Sequence, residues 1–219
     1  MTTDPFILNP ILAKLRTEFV KGQLLESDIN KDPMSQFQQW LAEAMATDAY
    51  ANAMVLSTVD CNGMPSSRVM LLRDISFNGF TFFTNYKSQK GEELEKNRHG
   101  ALVFFWPALE RQVRVTGTIK KLPAKESTAY FNSRPFGSKV AAWASQQSRV
   151  LSDRYVLEER VNVLQNEFKD KDVPRPDHWG GYVLEPQSIE FWQGRESRLH
   201  DRLRFIREDG DWKMERLMP

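Results

Sequence analysis

Residues 101–121 read ALVFFWPALERQVRVTGTIKK. Residues 101–106 are an unbroken apolar run, the pattern of a strand buried on both faces. Beyond Pro107, Gln112, Arg114, Thr116 and Thr118 alternate with Val113, Val115, Gly117 and Ile119. That period-2 pattern predicts a long amphipathic strand. Strands also flank this pair. Residues 53–59 are β-prone, Asp60-Cys61-Asn62-Gly63 signals a hairpin, and 67–74 is the partner strand. Asn78-Gly79 turns the chain into an aromatic strand at 80–84. Further strands fit 181–184, 189–193 and 203–207, with Asp209-Gly210 turning the last into 212–217.

Helices are inserted between the strands. Ile7, Leu8, Ile11, Leu12, Leu15 and Phe19 form a helical stripe that stops at Gly22. Residues 23–31 are polar and read as a mobile connection. Asp32-Pro33, an N-cap followed by proline at the first helical position, opens a second helix with Phe37, Leu41, Ala44 and Met45 inward. Residues 88–97 read as a short exposed helix. Pro123 opens another, 138–144 adds one, and 152–169 is a long one with Val156, Val163, Leu164 and Phe168 inside. The division predicted is an N-terminal helix and mobile arm over 1–31, then a single domain over 32–219. The fold class is mainly β with helices (α+β), an antiparallel β-barrel with a helical layer. Without βαβ alternation, GxGxxG or GxxxxGK[ST], Rossmann and P-loop folds are excluded.

The 219 residues carry 30 Lys plus Arg against 29 Asp plus Glu, a net charge of +1. That balance gives no general attraction to nucleic acid or an anionic membrane. With 14 Phe, 6 Trp and 5 Tyr the chain can build a sizeable core. One cysteine, Cys61, excludes an internal disulfide and a Cys-based metal centre, and three histidines leave little for a His-rich site, so no metal is expected. The N-terminus lacks a secretory signal pattern and no apolar run approaches the roughly 20 residues of a membrane span. A cytoplasmic protein of a reducing compartment is expected.

No Ser-His-Asp signature such as GxSxG occurs. Glu92-Glu93 and Glu158-Glu159 sit in charge-rich helical contexts and read as solvated faces. Arginines in β contexts say more. Arg68 lies among apolar residues, Arg114 on the amphipathic strand and Arg134 before Pro135. Arg195, Arg198 and Arg202 crowd with His200 behind Phe191-Trp192. Guanidinium forks match phosphate oxygens, and Thr84, Ser88-Gln89-Lys90 and Gln147-Ser148 add neutral donors. A small phosphorylated ligand or flavin fits. Single-stranded nucleic acid on aromatic platforms is the alternative, against which the near-zero charge weighs.

At these residues the sequence resembles the pyridoxamine/pyridoxine 5′-phosphate oxidases. The match runs from about the first helix to the C-terminus. It rests on Arg68-Val69-Met70-Leu71-Leu72-Arg73, Glu110-Arg111-Gln112-Val113, Tyr130-Phe131-Asn132-Ser133-Arg134-Pro135, Trp179-Gly180-Gly181, Ile189-Glu190-Phe191-Trp192-Gln193-Gly194 and Arg198-Leu199-His200-Asp201-Arg202. The resemblance implies an FMN-binding split barrel, a homodimer with FMN at the interface through its C-terminal region. It implies oxidation of pyridoxamine or pyridoxine 5′-phosphate to pyridoxal 5′-phosphate, with hydride passing from substrate C4′ to flavin N5 and O2 reduced to H2O2.

By the same resemblance Arg68 and Lys90 contact the FMN phosphate. Val69, Met70, Leu71, Leu72, Arg73, Phe83, Thr84, Gln89, Gln112, Gln147, Ser148, Trp192 and Arg202 complete the flavin site. Arg73, Tyr130, Arg134 and Ser138 hold the substrate phosphate. Arg198, Leu199 and His200 lie against the substrate ring, with Arg198 and His200 as catalytic candidates, and Arg16 and Phe19 belong to a segment that closes over it. Three positions depart from the family pattern: Arg73 where lysine is usual, Gln89 where a basic residue is common, and Phe19 where tyrosine often stands. Other split-barrel flavin oxidoreductases, and a flavin or pyridoxal-phosphate carrier without turnover, are the competing readings.

Overall fold

The computed structural model describes residues 12, 14, 15, 18–76 and 79–219. The expected helix over 7–19, Arg16 and Asn78 lie wholly or partly outside them. The described chain forms α1 (Pro33–Met45), β1 (Ala53–Val59), β2 (Pro65–Leu71), β3 (Asp74–Ser76), β4 (Gly79–Asn85) and α2 (Gln89–Lys96). It continues through β5 (His99–Trp106), β6 (Arg111–Lys121), α3 (Ala124–Ser133), α4 (Phe136–Ala144) and α5 (Arg154–Glu167). β7 (Trp179–Gln193), β8 (Asp201–Glu208) and β9 (Asp211–Arg216) complete it.

All strand pairs are antiparallel, in the order β2-β1-β5-β6-β7-β4-β3, with β8 on β7 and β9 on β8. Local chemistry sets the hairpins. Asp60 Oδ1 accepts the N–H groups of Asn62 and Met64 at 2.8 Å, and Gly63 takes φ 84°. The two strands expected at 181–184 and 189–193 are one 15-residue strand, β7. Its first half pairs with β4 and its second with β8, while β6 runs along its other edge. The register shifts between Thr116 and Gly117, opposite Pro186. Residues 185–187 have no strand on the far edge, so a proline there breaks no ladder on that side. At this bend a side chain on Gly117 would begin 2.0 Å from the Glu185 carbonyl oxygen, so the sheet can curl only over a glycine.

α1 plugs the curl. Asp32 caps it by accepting from the Met34 and Ser35 N–H groups, with Pro33 at the first position. Phe37 meets Phe80 and Phe104 edge-on at 4.9 and 4.8 Å, and Trp40 meets Phe191 at 5.2 Å. The inner face joins them to Leu56, Leu102, Val113, Val115, Leu203 and Phe205. Met45, expected inward, is 64% exposed; Gln36 and Trp40 are buried in the helix instead.

β5 is not buried on both faces within this chain. Leu102, Phe104 and Trp106 point inward, whereas Phe105 is 52% exposed. The outer face forms an apolar row, since Val69 pairs with Val55 and Val55 with Val103. α3, α4 and α5 form a separate layer around Phe131, Val140 and Trp179. α5 buries no residue fully. Leu164 and Phe168 pack as expected, but Val163 is 59% exposed and Val156 also faces out. Residues 23–31, expected as a mobile connection, are packed through buried Leu24 and Ile29. No helix among the described residues is long and apolar enough to cross a membrane, and no group of His, Cys, Asp and Glu among them is placed to hold a metal.

Candidate active site

The first half of the site is built where β4 runs into α2. Ser88 caps α2, and the first turn carries Lys90. The amine is buried and meets only neutral oxygens: Gln147 Oε1 at 3.0 Å, Thr84 Oγ1 and Ser88 Oγ at 3.3 Å. Burial, and after it nearby Arg68, lower its pKa to about 8 against the opposing pull of Glu93. An ammonium with neutral partners at a helix N-terminus is a seat for an anion.

Arg68 stands beside it but is engaged. It donates to Thr58, Ser66 and the Leu56 carbonyl, and lies 3.4 Å from Glu93 Oε2. Glu93 corrects the reading of Glu92-Glu93 as a solvated face. Glu92 pairs with Arg149 at the surface, whereas Glu93 is buried beneath β1 and β2. Burial pushes its carboxyl up, but Thr58, Ser66 and Gln89 donate to it and Arg68 faces it, so its pKa ends below the usual value. Gln89 therefore spends its amide on Glu93 at 2.9 Å.

An open cavity of about 440 Å³ lies next to Lys90's partners. Val69, Met70, Leu71, Phe83, Thr84 and Gln147 line it together with Arg73, Tyr130, Arg134 and Trp179. Phe83 stacks on Tyr130 at 3.8 Å and 13°, and Tyr130 is parallel to Trp179. The Arg134 guanidinium lies over Trp179 at 4.5 Å, and its buried NH1 has no hydrogen-bond partner. Burial draws Arg134 below the ordinary guanidinium value; Tyr130 opposes this and Arg73 adds to it. A buried donor without an acceptor is costly, and an anion satisfies it. Leu72 is buried in the core, Ser138 bonds through its N–H to Pro135, and Ser148 takes φ 70° in an exposed turn. None of those three lines this cavity.

The remaining candidates form a second group. Phe105 pairs with Gln112, Gln112 with Trp192, and Trp192 with Arg202, so three expected flavin contacts share one cross-strand row on the outer face. Arg202 donates to Glu190 at 2.9 Å, which also holds Arg114. His200 lies 4.7 Å from Trp192, and Phe19 meets both edge-on at 5.5 and 5.6 Å. The Arg195 N–H donates to His200 Nδ1 at 3.1 Å, leaving the proton of the neutral ring on Nε2. Ser197 and Arg198 both take left-handed backbone angles, φ 53° and 61°. The turn lifts Arg198 out, and its side chain has no partner among the described residues.

These two groups sit at opposite ends of β7, Trp179 at one and Trp192 at the other, separated by up to roughly 40 Å of extended strand. One chain does not bring them together. Trp179, Asn85 and Ser145 also line the cavity but were not among the candidates; Trp179 stood in a resemblance motif, and the other two carried no local signal.

Comparison with known proteins shows the family and the fold. A family model described as Pyridoxamine 5′-phosphate oxidase matches residues 41–166, and one described as Pyridoxine 5′-phosphate oxidase C-terminal dimerisation region matches 179–219. The pyridoxine/pyridoxamine 5′-phosphate oxidase of Salinibacter ruber is 50% identical over 212 residues, covering 95% of this chain and 99% of its own. That of Cupriavidus necator is 52% identical over 210 residues, with 95% and 99% covered. Among solved structures, PhzG from Burkholderia lata, in complex with tetrahydrophenazine-1-carboxylic acid, superposes with a TM-score of 0.85 at 31% identity, covering 91% of this chain and all of its own. An FMN-binding protein from Nostoc punctiforme shares the split-barrel fold, with a TM-score of 0.69 at 15% identity over 87% of this chain and 100% of its own. The chain belongs to the pyridoxine/pyridoxamine 5′-phosphate oxidase family of flavoprotein oxidoreductases, with that family's C-terminal dimerisation region.

Proposed function

We propose that the protein oxidises pyridoxamine 5′-phosphate and pyridoxine 5′-phosphate to pyridoxal 5′-phosphate, with FMN as cofactor at the interface of a homodimer and O2 as electron acceptor. The observation that carries this is a pair of cations without an ion-pair partner among the described residues: Arg134 lining one aromatic-walled cavity, and Lys90 behind the Thr84 and Gln147 of its wall. Two anion seats suit two phosphates, one on the cofactor and one on the substrate. FMN fits the donor set: Lys90, Arg68, Thr84 and Gln147 for its phosphate side, and Val69, Met70, Leu71, Arg73, Gln112, Trp192 and Arg202 for the rest. Bound FMN would supply the two-electron redox chemistry that couples oxidation of the substrate at C4′ to reduction of O2 to H2O2.

The chain's own residues bind and orient. Arg134, Arg73 and Tyr130 hold the substrate phosphate away from the reacting carbon, so remote binding energy positions the ring. Trp192, Arg198 and His200 complete the site from a second copy of the chain, because their own copy places them at the far end of β7. The exposed apolar row of β2, β1 and β5, beside Gln112 and Trp192, supports such an association. His200, with Nδ1 taken by the Arg195 N–H, has Nε2 left to face the substrate ring.

The test is to add pyridoxine 5′-phosphate to FMN-saturated protein in air and follow aldehyde absorbance and H2O2. Both are expected to accumulate, and Arg198→Ala is expected to lose most of the rate. A yellow protein that makes no aldehyde from either 5′-phosphate would favour a carrier or another flavin reductase.

Phe19 supplies a finer prediction. A tyrosine here adds a hydroxyl beside Trp192 and His200, worth roughly 0.5–1.5 kcal/mol if it bonds to the substrate. Phe19→Tyr is expected to lower KM severalfold with little change in kcat. Kinetics identical to those of the wild type would show that the missing hydroxyl does not matter.

A further inference from the structure

Glu110 belongs to the motif Glu110-Arg111-Gln112-Val113, of which the proposed chemistry uses only Gln112. It is buried, and its backbone takes φ 54° just after the 3₁₀ turn Pro107–Leu109. A non-glycine residue keeps that conformation only where its surroundings determine it. Its carbonyl oxygen accepts the Gly194 N–H at 2.8 Å and Gln193 Nε2 at 3.2 Å. Gln193 is 1% exposed, and its Oε1 accepts from Arg111 Nε at 3.0 Å.

The Glu110 carboxylate points elsewhere, to the N-terminal arm, where Oε2 accepts the Lys21 backbone N–H at 2.8 Å. Lys21 Nζ adds a bond to the Ala108 carbonyl at 2.8 Å. Glu110 thus ties the arm to the turn that follows β7, and Glu18 adds a tie further up the arm, its carboxylate accepting the Ser197 N–H at 3.1 Å. Gly194 in that turn leaves only the space that Phe19 fills, for a Cβ there would lie 2.7 Å from Phe19 Cβ and Cγ. Phe19 in turn packs on Trp192 and His200. Residues 24–26 are secured separately, by Asp201 accepting the Leu24 N–H at 3.0 Å and by the Arg216–Glu26 pair. Releasing Glu110 therefore loosens the arm only ahead of Leu24, at the Lys21 amide, while Glu18 and the Lys21 amine keep their own bonds.

We propose that Glu110 is a positioning residue: its carboxylate latches the arm through the Lys21 amide, seats Phe19 on Trp192 and His200, and sets how tightly substrate is held. The latch rests on these contacts alone; its effect on substrate rests on the proposed oxidase activity.

The test uses the full-length, FMN-loaded protein. Limiting trypsin is applied and cleavage of the Lys21–Gly22 bond is followed by mass, alongside steady-state kinetics with pyridoxine 5′-phosphate. Glu110→Ala is expected to speed that cleavage about tenfold and raise KM about as much, with kcat within about twofold, as loss of one charge-assisted bond implies. Glu110→Gln, whose amide oxygen can accept the same N–H, is expected to restore most of both. Gly194→Ala, which leaves the carboxylate in place and displaces Phe19, is expected to raise KM with cleavage near the wild-type rate, and Glu110→Asp, whose shorter side chain falls short of the Lys21 N–H, decides the latch if Glu110→Ala does not fold. Cleavage of Glu110→Ala at the wild-type rate overturns the latch. Faster cleavage with unchanged KM, or a Glu110→Gln variant as impaired as Glu110→Ala, overturns the positioning role. If the wild type oxidises neither 5′-phosphate, the oxidase reading fails while trypsin still decides the latch.

Discussion

Lys90→Met is expected to purify without flavin colour and to bind FMN about 100-fold more weakly than the wild type, since a charge-assisted phosphate contact is lost. Its fold should persist. The amine it replaces is buried among Thr84, Ser88 and Gln147, and burial already disfavours its charge. Methionine fills the same channel with no charge to desolvate, so the flavin-free protein should melt no lower than the wild type. The wild-type affinity should also depend on pH in a definite direction. Lys90 in the free protein titrates at about 8, below the ordinary lysine value. Below that pH the ammonium is present and meets the phosphate. Above it, binding must first take up a proton, so affinity falls by up to about tenfold per pH unit until the pKa of the complex is reached. Flavin titrations from pH 7 to 10 check this. A flat profile in the wild type, or an equal fall in Lys90→Met, would remove Lys90 from the phosphate site.

Arg134→Ala is expected to do the opposite: to keep the flavin and lose the substrate. The buried NH1 of Arg134 lacks a partner, and the side chain is held over Trp179 with Arg73 and Tyr130 in the same cavity. Removing a charge-assisted contact to phosphate should lower kcat/KM for pyridoxine 5′-phosphate about 100-fold. FMN affinity should stay within about twofold. The discriminating measurement compares pyridoxine 5′-phosphate with unphosphorylated pyridoxine. Only the phosphorylated substrate should suffer, because the lost bond exists only with it. Equal losses on both would mean that Arg134 supports the cavity wall through Trp179 and Phe131 rather than binding phosphate.

Much of the candidate site is legible in the order of the amino acids. The Ser-Arg-Pro segment and the Arg-Leu-His-Asp-Arg segment are short and specific, so Arg134, Arg198 and His200 can be named from the chain alone. Each group's partner cannot. Glu92 and Glu93 are adjacent acids in one helix, alike in sequence. They differ because a helix turns about 100° per residue, so one faces Arg149 at the surface and the other Thr58, Ser66 and Arg68 beneath the sheet. Phe104 and Phe105 divide in the same way, by the two-residue period of a strand. An apolar run reads as buried on both faces whether helices or a second copy of the chain cover the outer one. Glu110 carries no such signal, for its partners Lys21 and Gly194 lie 89 and 84 positions away.

Near neighbours along the chain settle the local grammar: the Asp60 to Gly63 hairpin, the Asp32-Pro33 helix start and the alternation of β6. These features depend on a few adjacent positions, where backbone sterics and side-chain period act directly. Long-range packing settles the rest. It makes residues 179–193 one strand bent opposite Gly117, leaves Lys90 a buried amine with neutral partners, and divides the candidate residues between opposite ends of β7. Those outcomes depend on which distant segments remove water from a given side chain, and that is set by the packing of the whole chain rather than by any segment of it.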